Sequence, residues 1–130
     1  MRRILIADDS HNTRGIVRFM LDSKRYEVIE AADGQEALDK ARASRFDLIV
    51  LDAMMPRLDG YAACAALKED SATAAIPVVM ITAAAESAHG TVRRWRPELR
   101  PDAVLPKPFK LADLLATIER LLPSDALDPT

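Results

Sequence analysis

Residues 46–60, FDLIVLDAMMPRLDG, decide the fold of this chain. The four apolar residues at 48–51 run without a break, and a run this short is typical of a strand buried on both faces of a parallel sheet. The run ends on Asp52. Because burying an unpaired carboxylate is costly, we expect Asp52 to lie where the strand emerges from its sheet. Asp59-Gly60 then predicts a turn into a helix.

Other short apolar segments also end on side chains that can do chemistry. Parallel strands bring their carboxyl ends to one edge of a sheet, where ligands bind. Each residue alone has an ordinary explanation as a helix cap, a strand-end hydroxyl or a surface lysine, but the coincidence of four strand ends favours a shared site. The segments are residues 3–7 before Asp8 and Asp9, residues 78–81 before Thr82, and residues 104–105 before Lys107.

Helical patterns separate these strands, and a further strand is predicted at 26–31. Ser10 or Asn12 can cap a first helix that runs to about Lys24, and Asp33 with Glu36 indicates the start of a second. Strands that alternate with helices predict an α/β fold with helices on both faces of a parallel sheet. The pattern leaves the strand order open. Further helices are predicted at 60–69, 86–96 and 111–122, and Ile16, Val17, Met20 and Leu21 share one side of the first.

Composition narrows the classes of protein. The 130 residues are 49% apolar with a net charge of −2, which gives no strong field for nucleic acid or membrane. No apolar run approaches the roughly 20 residues of a membrane span. A lone cysteine, Cys64, favours a reducing, cytoplasmic compartment. His11 and His89 have no ligand spacing for zinc.

Together, the strand ends resemble the receiver domain of two-component response regulators. The resemblance covers about residues 2–122 and implies a flavodoxin-like, doubly wound sheet of five parallel strands in the order 2-1-3-4-5, with about five helices. Residues 1–122 are then expected to form the receiver domain and residues 123–130 a loose C-terminal tail. In this order the first and third strands are neighbours, so Asp8, Asp9 and Asp52 meet in one crevice.

Three close carboxylates repel one another unless a cation offsets them, and Mg²⁺ prefers such oxygen ligands. The resemblance implies that Asp52 is the phosphoacceptor. It also implies that Asp9 and Asp52 ligate Mg²⁺ directly, that Asp8 acts through water, and that the Met54 carbonyl adds a ligand. The phosphoryl oxygens would be bound by Lys107, by the Thr82 hydroxyl, and by backbone N–H groups near Met54 and Ala83. A cis Lys107–Pro108 peptide bond and a trans bond before Pro106 are also implied.

The function implied is a phosphorylation-controlled switch. A sensor histidine kinase or a histidine phosphotransfer protein would donate the phosphoryl group, and a downstream protein target would read the change. The chain would catalyse only its own phosphorylation and a slow aspartyl-phosphate hydrolysis, as a monomer or weak dimer. One alternative is the N-terminal receiver fragment of a longer regulator with an output domain.

Two further alternatives use similar strand ends. A haloacid-dehalogenase-type phosphohydrolase needs a second aspartate two positions after Asp52, where Met54 stands. A flavin-binding module of the same fold would hold an anionic flavin phosphate, which the three carboxylates oppose. Both are therefore less favoured by this sequence.

The chain also departs from the family pattern. Receivers commonly carry Tyr or Phe in the fifth strand, where this chain has Val104. The segment between Thr82 and Lys107 is longer than usual and includes a basic cluster around Trp95. That cluster is either a solvated helix face or a docking surface for an acidic partner. We hypothesise that the loop at 83–87 repositions the following helix without an aromatic toggle. The cluster comprises Arg93, Arg94, Arg96 and Arg100.

Overall fold

The sheet consists of five parallel strands in the order β2-β1-β3-β4-β5, which confirms the predicted doubly wound topology. The computed structural model describes residues 1–83 and 97–122. The first strand has the predicted extent, β3 and β4 run on through the polar residues Asp52 and Thr82 that follow their apolar segments, and the second and fifth strands differ from the prediction by one or two residues. The strands are β1 (Arg3–Ala7), β2 (Glu27–Ala31), β3 (Leu48–Asp52), β4 (Val78–Ala83) and β5 (Ala103–Lys107).

Helices lie on both faces of the sheet. The predicted helix at 86–96, residues 84–87 of the loop before it, and the tail at 123–130 lie outside the described residues. Of the basic cluster, only Arg100 is among the described residues. A short 3-10 turn at Pro97–Leu99, which the sequence did not predict, precedes β5. The α-helices in the described part of the chain are α1 (His11–Ser23), α2 (Gly34–Ala43), α3 (Gly60–Glu69) and α4 (Leu111–Leu121).

Side chains that alternate along the strands build two hydrophobic clusters. On β3, Ile49 and Leu51 pack toward α2 and α3, whereas Leu48 and Val50 pack toward α1 and α4. All five residues of β3 are buried. This two-sided burial is why the strand reads as a continuous apolar run, and it makes β3 the centre of the core.

Short polar side chains set the helix starts. Ser10 caps α1 by accepting a hydrogen bond from the Thr13 N–H (3.2 Å), which resolves the choice between Ser10 and Asn12. Asp33 and Asp59 cap α2 and α3 in the same way, each with a bond of 2.8 Å. Each cap satisfies a backbone donor that the first helical turn leaves without an intrahelical partner.

The apolar side of α1 is narrower than the sequence pattern indicates. Val17 and Leu21 are buried in the cluster shared with α4, but Ile16 is 56% exposed. Phe19, which lines the same surface hollow as Ile16, is still more exposed, at 80%. The sheet therefore covers only the centre of the predicted stripe.

Glycine permits a close backbone contact at the start of α2. A Cβ atom on Gly34 would lie 1.8 Å from the carbonyl oxygen of Leu58. Any larger residue would push apart α2 and the loop that follows β3. Among the described residues, no helix has the length and apolar character needed to cross a membrane.

Candidate functional site

Three carboxylates meet at the carboxyl edge of the sheet, as the strand order predicts. Asp8 follows β1, Asp52 ends β3, and the two strands pair from Ile4 with Leu48 to Ala7 with Leu51. Asp8, Asp9 and Asp52 each offer an oxygen within 4.8 Å of the others. Asp8 and Asp52 are buried, and Asp9 is exposed. The edge therefore concentrates negative charge, and at Asp8 and Asp52 little water screens it.

Asp8 shows the electrostatic effect of this arrangement. Burial is the main cause that raises its pKa, and the neighbouring charges of Asp52 and Asp9 act in the same direction. The Ser10 N–H, which donates to Asp8 Oδ1 at 2.8 Å, and the charge of Lys107 oppose the rise. A cation bound among the three carboxylates would relieve the same repulsion.

Arg14 of α1 holds the end of β1 in place. Its Nη1 donates to the backbone carbonyl of Asp8 at 2.6 Å, and its Nε donates to Glu30 at 3.0 Å. The guanidinium therefore joins α1, β1 and β2 beside the carboxylates.

Lys107 completes the group at the edge. Its Nζ lies 3.0 Å from Asp52 Oδ1, and its side chain remains 40% exposed. The Lys107–Pro108 peptide bond is cis, as predicted, and it is the single cis bond in the described part of the chain. The bond before Pro106 is therefore trans, also as predicted. The ion pair itself joins the end of β5, across β4, to the aspartate of β3.

The loop after β3 folds back over the strand end. The Met54 N–H points to Asp52 Oδ1 at 3.4 Å, and the Gly60 N–H donates to the Ala53 carbonyl at 2.9 Å. A Cβ atom on Gly60 would lie 2.2 Å from the Asp52 carbonyl oxygen, so only glycine allows α3 to begin here. The Met54 side chain is 63% exposed. That the backbone carbonyl of Met54 ligates a metal ion stays a prediction.

The Thr82 side chain lies in a different environment from the three carboxylates. It is fully buried, and its Oγ1 lies 3.0 Å from the hydroxyl oxygen of Tyr61 on α3. The sequence reasoning missed Tyr61, because helical and strand periodicity do not show which residues 21 positions apart meet. The one clue was a hydroxyl-bearing aromatic directly after the helix-starting Gly60.

The remaining candidate side chains have structural explanations. Burial raises the pKa of Cys64 to about 12, and its Sγ donates to the Leu99 carbonyl at 3.6 Å, so this thiol is a poor nucleophile. His11 Nδ1 lies 3.5 Å from Arg14 Nη2. Within residues 1–83 and 97–122, His11 belongs to no cluster of side chains that could hold a metal ion. His89 lies outside the described residues.

The donor set suits a hard divalent cation. All three side chains supply carboxylate oxygens, and no thiolate or imidazole joins them among the described residues. Magnesium binds through one or two carboxylates and keeps several waters, which matches an edge where Asp9 faces solvent. The residues present therefore fit Mg²⁺.

Comparison with known proteins identifies the class that this fold and site define. Residues 4–119 match the family described as the response regulator receiver domain, and the chain belongs to that family. It is a receiver domain homologous to the response regulators of two-component systems.

Individual curated relatives of this chain are transcriptional regulators of about twice its length. It is 40% identical over 121 residues to the probable transcriptional regulator ycf27 of Cyanophora paradoxa, a match covering 93% of this chain and 48% of the relative. It is 35% identical to the alkaline phosphatase synthesis transcriptional regulatory protein PhoP of Bacillus subtilis, covering 93% of this chain and 48% of PhoP. The chain thus spans about half the length of the curated relatives it matches.

Solved structures show the same fold over nearly whole chains. The chemotaxis response regulator CheY4 of Vibrio cholerae superposes with a TM-score of 0.83 at 34% identity, covering 94% of this chain and 99% of CheY4. The receiver domain of the sensor histidine kinase PA1611 from Pseudomonas aeruginosa superposes with a TM-score of 0.80 at 30% identity. The match covers 92% of this chain and 96% of the PA1611 receiver domain. That structure has a magnesium ion coordinated in its active site cleft.

Proposed function

We propose that this receiver domain is the phosphoacceptor of a two-component phosphorelay and that Asp52 is the residue phosphorylated. The observation that carries the proposal is the geometry around Asp52: its carboxylate lies 3.0 Å from the Lys107 ammonium and within 4.8 Å of carboxylate oxygens of Asp8 and Asp9. A buried carboxylate with a lysine ammonium beside it, at the edge of the sheet, is arranged to receive an anionic phosphoryl group.

In the proposed reaction an Asp52 carboxylate oxygen attacks the phosphorus of a phosphohistidine. The new O–P bond forms as the P–N bond of the donor breaks, and the leaving imidazole nitrogen takes up a proton from water. Water then hydrolyses the resulting acyl phosphate, which restores the Asp52 carboxylate and releases inorganic phosphate. The donor is a sensor histidine kinase or a histidine phosphotransfer protein, and the chain supplies the catalysis of its own phosphorylation and slow dephosphorylation.

The surrounding residues have separate tasks. Asp8, Asp9 and Asp52, with the Met54 carbonyl, would hold Mg²⁺, which when bound offsets the carboxylate charge as an anionic phosphoryl group approaches. Lys107 pairs with a phosphoryl oxygen as a compact point charge. The Thr82 hydroxyl and backbone N–H groups near Met54 and Ala83 donate to the remaining oxygens.

We also propose the extent of the domain, the compartment it works in and the kind of partner it contacts. Residues 1–122 act as the receiver domain, and 123–130 form a tail beyond it. The domain works in the cytoplasm, contacts a downstream protein target, and binds neither nucleic acid nor membrane directly. Contact with proteins rather than DNA is supported by the net charge of −2.

The first test is phosphorylation by a small donor. Incubation with acetyl phosphate and Mg²⁺ should add one phosphoryl mass to the wild-type chain, and EDTA should prevent the addition. Asp52→Asn should abolish labelling, because an amide cannot accept the group. Asp39→Asn, at an exposed carboxylate of α2, is the matched control and should label normally. Full labelling of Asp52→Asn would contradict the assignment.

A further inference from the structure

A buried pair of hydroxyl groups lies next to the proposed phosphorylation site. The Tyr61 hydroxyl oxygen and Thr82 Oγ1 are 3.0 Å apart, and either oxygen can be the donor. Thr82 is fully buried and Tyr61 is 9% exposed. Because burial keeps water away from this hydrogen bond, the bond contributes to the position of both side chains.

The pair lies on the opposite face of the sheet from the Asp52 carboxylate. Thr82 is two residues beyond Met80, which packs in the cluster under α2 and α3. Asp52 is two residues beyond Val50, which packs in the cluster under α1 and α4. Side chains two apart on a strand share a face. The Thr82 hydroxyl must therefore turn around the edge of the sheet to donate to a phosphoryl group on Asp52.

We propose that Tyr61 is a positioning residue that holds the Thr82 hydroxyl on the α3 side of the sheet, in competition with a phosphoryl group on Asp52. This inference rests on the proposed function. Tyr61 and a phosphoryl group on Asp52 lie on opposite faces of the sheet, so a turn of the Thr82 hydroxyl toward a phosphoryl oxygen breaks the contact with Tyr61, whichever of the two oxygens donates. The Tyr61 bond therefore favours the resting arrangement and weakens binding at Asp52.

The start of α3 makes Tyr61 a fixed anchor for this bond. The Gly60 N–H donates to Ala53, the residue after the phosphoacceptor, at 2.9 Å, and Asp59 caps the helix through Ala62 at 2.8 Å. These contacts hold the start of α3, and Tyr61 with it, against the residue that follows β3.

The restraint on Thr82 comes from α3. Val104 of β5, where the family resemblance leads one to expect Tyr or Phe, pairs with Met80 rather than Thr82 and is 38% exposed. The hydroxyl that contacts Thr82 comes instead from a tyrosine on α3. The position of Thr82 is therefore coupled to the helix that follows the phosphoacceptor loop.

The test uses Tyr61→Phe, which removes one oxygen and keeps the ring. Binding of beryllofluoride with Mg²⁺, a phosphoryl mimic, is followed by amide chemical shifts. We expect Tyr61→Phe to bind it about three- to tenfold more tightly, because the resting state loses a buried hydrogen bond that the bound state does not use. Tyr26→Phe removes the same hydroxyl from the other tyrosine, outside the site, and should leave the affinity unchanged.

A double-mutant cycle separates positioning from a general structural effect. In a Thr82→Ala background, Tyr61→Phe should no longer change the affinity, whereas in Thr82→Ser, which keeps the hydroxyl, the gain should return. Unchanged or weaker binding by Tyr61→Phe, or an equal gain in the Thr82→Ala background, would overturn the inference.

Failure of the proposed function has a different signature. If the wild-type chain binds no beryllofluoride and accepts no phosphoryl group on Asp52, the proposed function is rejected. If the wild type responds and Tyr61→Phe has no effect, only the role of Tyr61 is rejected.

Discussion

β3 and β5 carry the two charges of the Asp52–Lys107 ion pair, yet the strands differ in nearly every other respect. β3 lies between β1 and β4 with all its residues buried, whereas β5 pairs only with β4 among the described residues and is half-buried or exposed. The Asp52 side chain is 4% exposed and that of Lys107 is 40% exposed. The site therefore combines a carboxylate fixed by the core with a cation on a long, solvated side chain.

This difference suits the proposed chemistry. A nucleophile must keep its position relative to the donor, since small displacements are costly for the reaction rate. A charge that follows the phosphoryl group from donor to acceptor needs freedom instead, and a lysine has a flexible four-carbon stem. Substitutions in the two strands should accordingly affect different properties.

The largest expected difference is in stability. Leu51→Ala removes a fully buried side chain from β3 and should lower the free energy of unfolding by about 2–5 kcal/mol. Val104→Ala in β5, where the side chain is 38% exposed, should cost less than about 1 kcal/mol. Urea denaturation measures both. Equal losses would show that β5 contributes to the core as much as β3 does.

The next largest effect is on phosphorylation. Lys107→Ala should slow labelling by acetyl phosphate about tenfold, less than removal of a fully buried donor because water reaches this side chain. Initial rates measure the change, and Lys107→Arg should recover part of it by restoring the charge.

Lys110→Ala provides the matched control for that experiment. Lys110 precedes α4, is exposed, and makes no capping hydrogen bond with its side chain. A rate equal to that of wild type in Lys107→Ala would mean that the charge on β5 is not used in the reaction.

The smallest expected effect concerns β2, the other edge of the sheet. Glu30 accepts hydrogen bonds from Arg18 (2.9 Å) and Arg14 (3.0 Å), and the bond from Arg18 is the main cause that lowers its pKa below the ordinary 4.5. A lowered pKa stabilises the fold above pH 4.5, and this contribution is lost as the pH falls through the lowered value. Glu30→Gln should therefore cost about 0.5–1 kcal/mol near neutral pH and progressively less in acid.

Thermal or urea unfolding across that pH range measures the contribution of Glu30. Added salt should reduce it, because the pair is partly exposed. Glu119→Gln, at an exposed position of α4, serves as the control and should show little change. A loss that stays constant from neutral pH to acid would contradict the electrostatic explanation.

Features determined by neighbouring residues were predictable from the sequence. Asp33 and Asp59 cap helices because a short acceptor followed by a helical pattern has one favoured use. The apolar run of β3 and the carboxylate that ends it, Asp52, are also neighbours in sequence, and this local pattern located the site. The order of the strands was different: periodicity does not show which strands pair, and the order came from the family resemblance.

Features determined by distant contacts were not predictable. Ile16 lies on the apolar side of α1, but how much of that side is covered depends on the sheet and α4. β5 extends through Pro106 to Lys107, beyond the predicted residues 104–105, because an edge strand tolerates a residue without an N–H. The Tyr61–Thr82 contact joins a helix to a strand and leaves no local pattern.

The backbone contact at Gly60 also bears on how such a chain can diverge. Nothing lies within 4 Å of a Cβ atom added to Gly15, so that codon is free to change, and alanine there would even favour the helix. A codon change at position 60 instead drives a side chain into the Asp52 carbonyl, 2.2 Å away. Mutational drift can thus reshape the outer surface of α1 while the approach of α3 to the phosphoacceptor stays closed to every other amino acid.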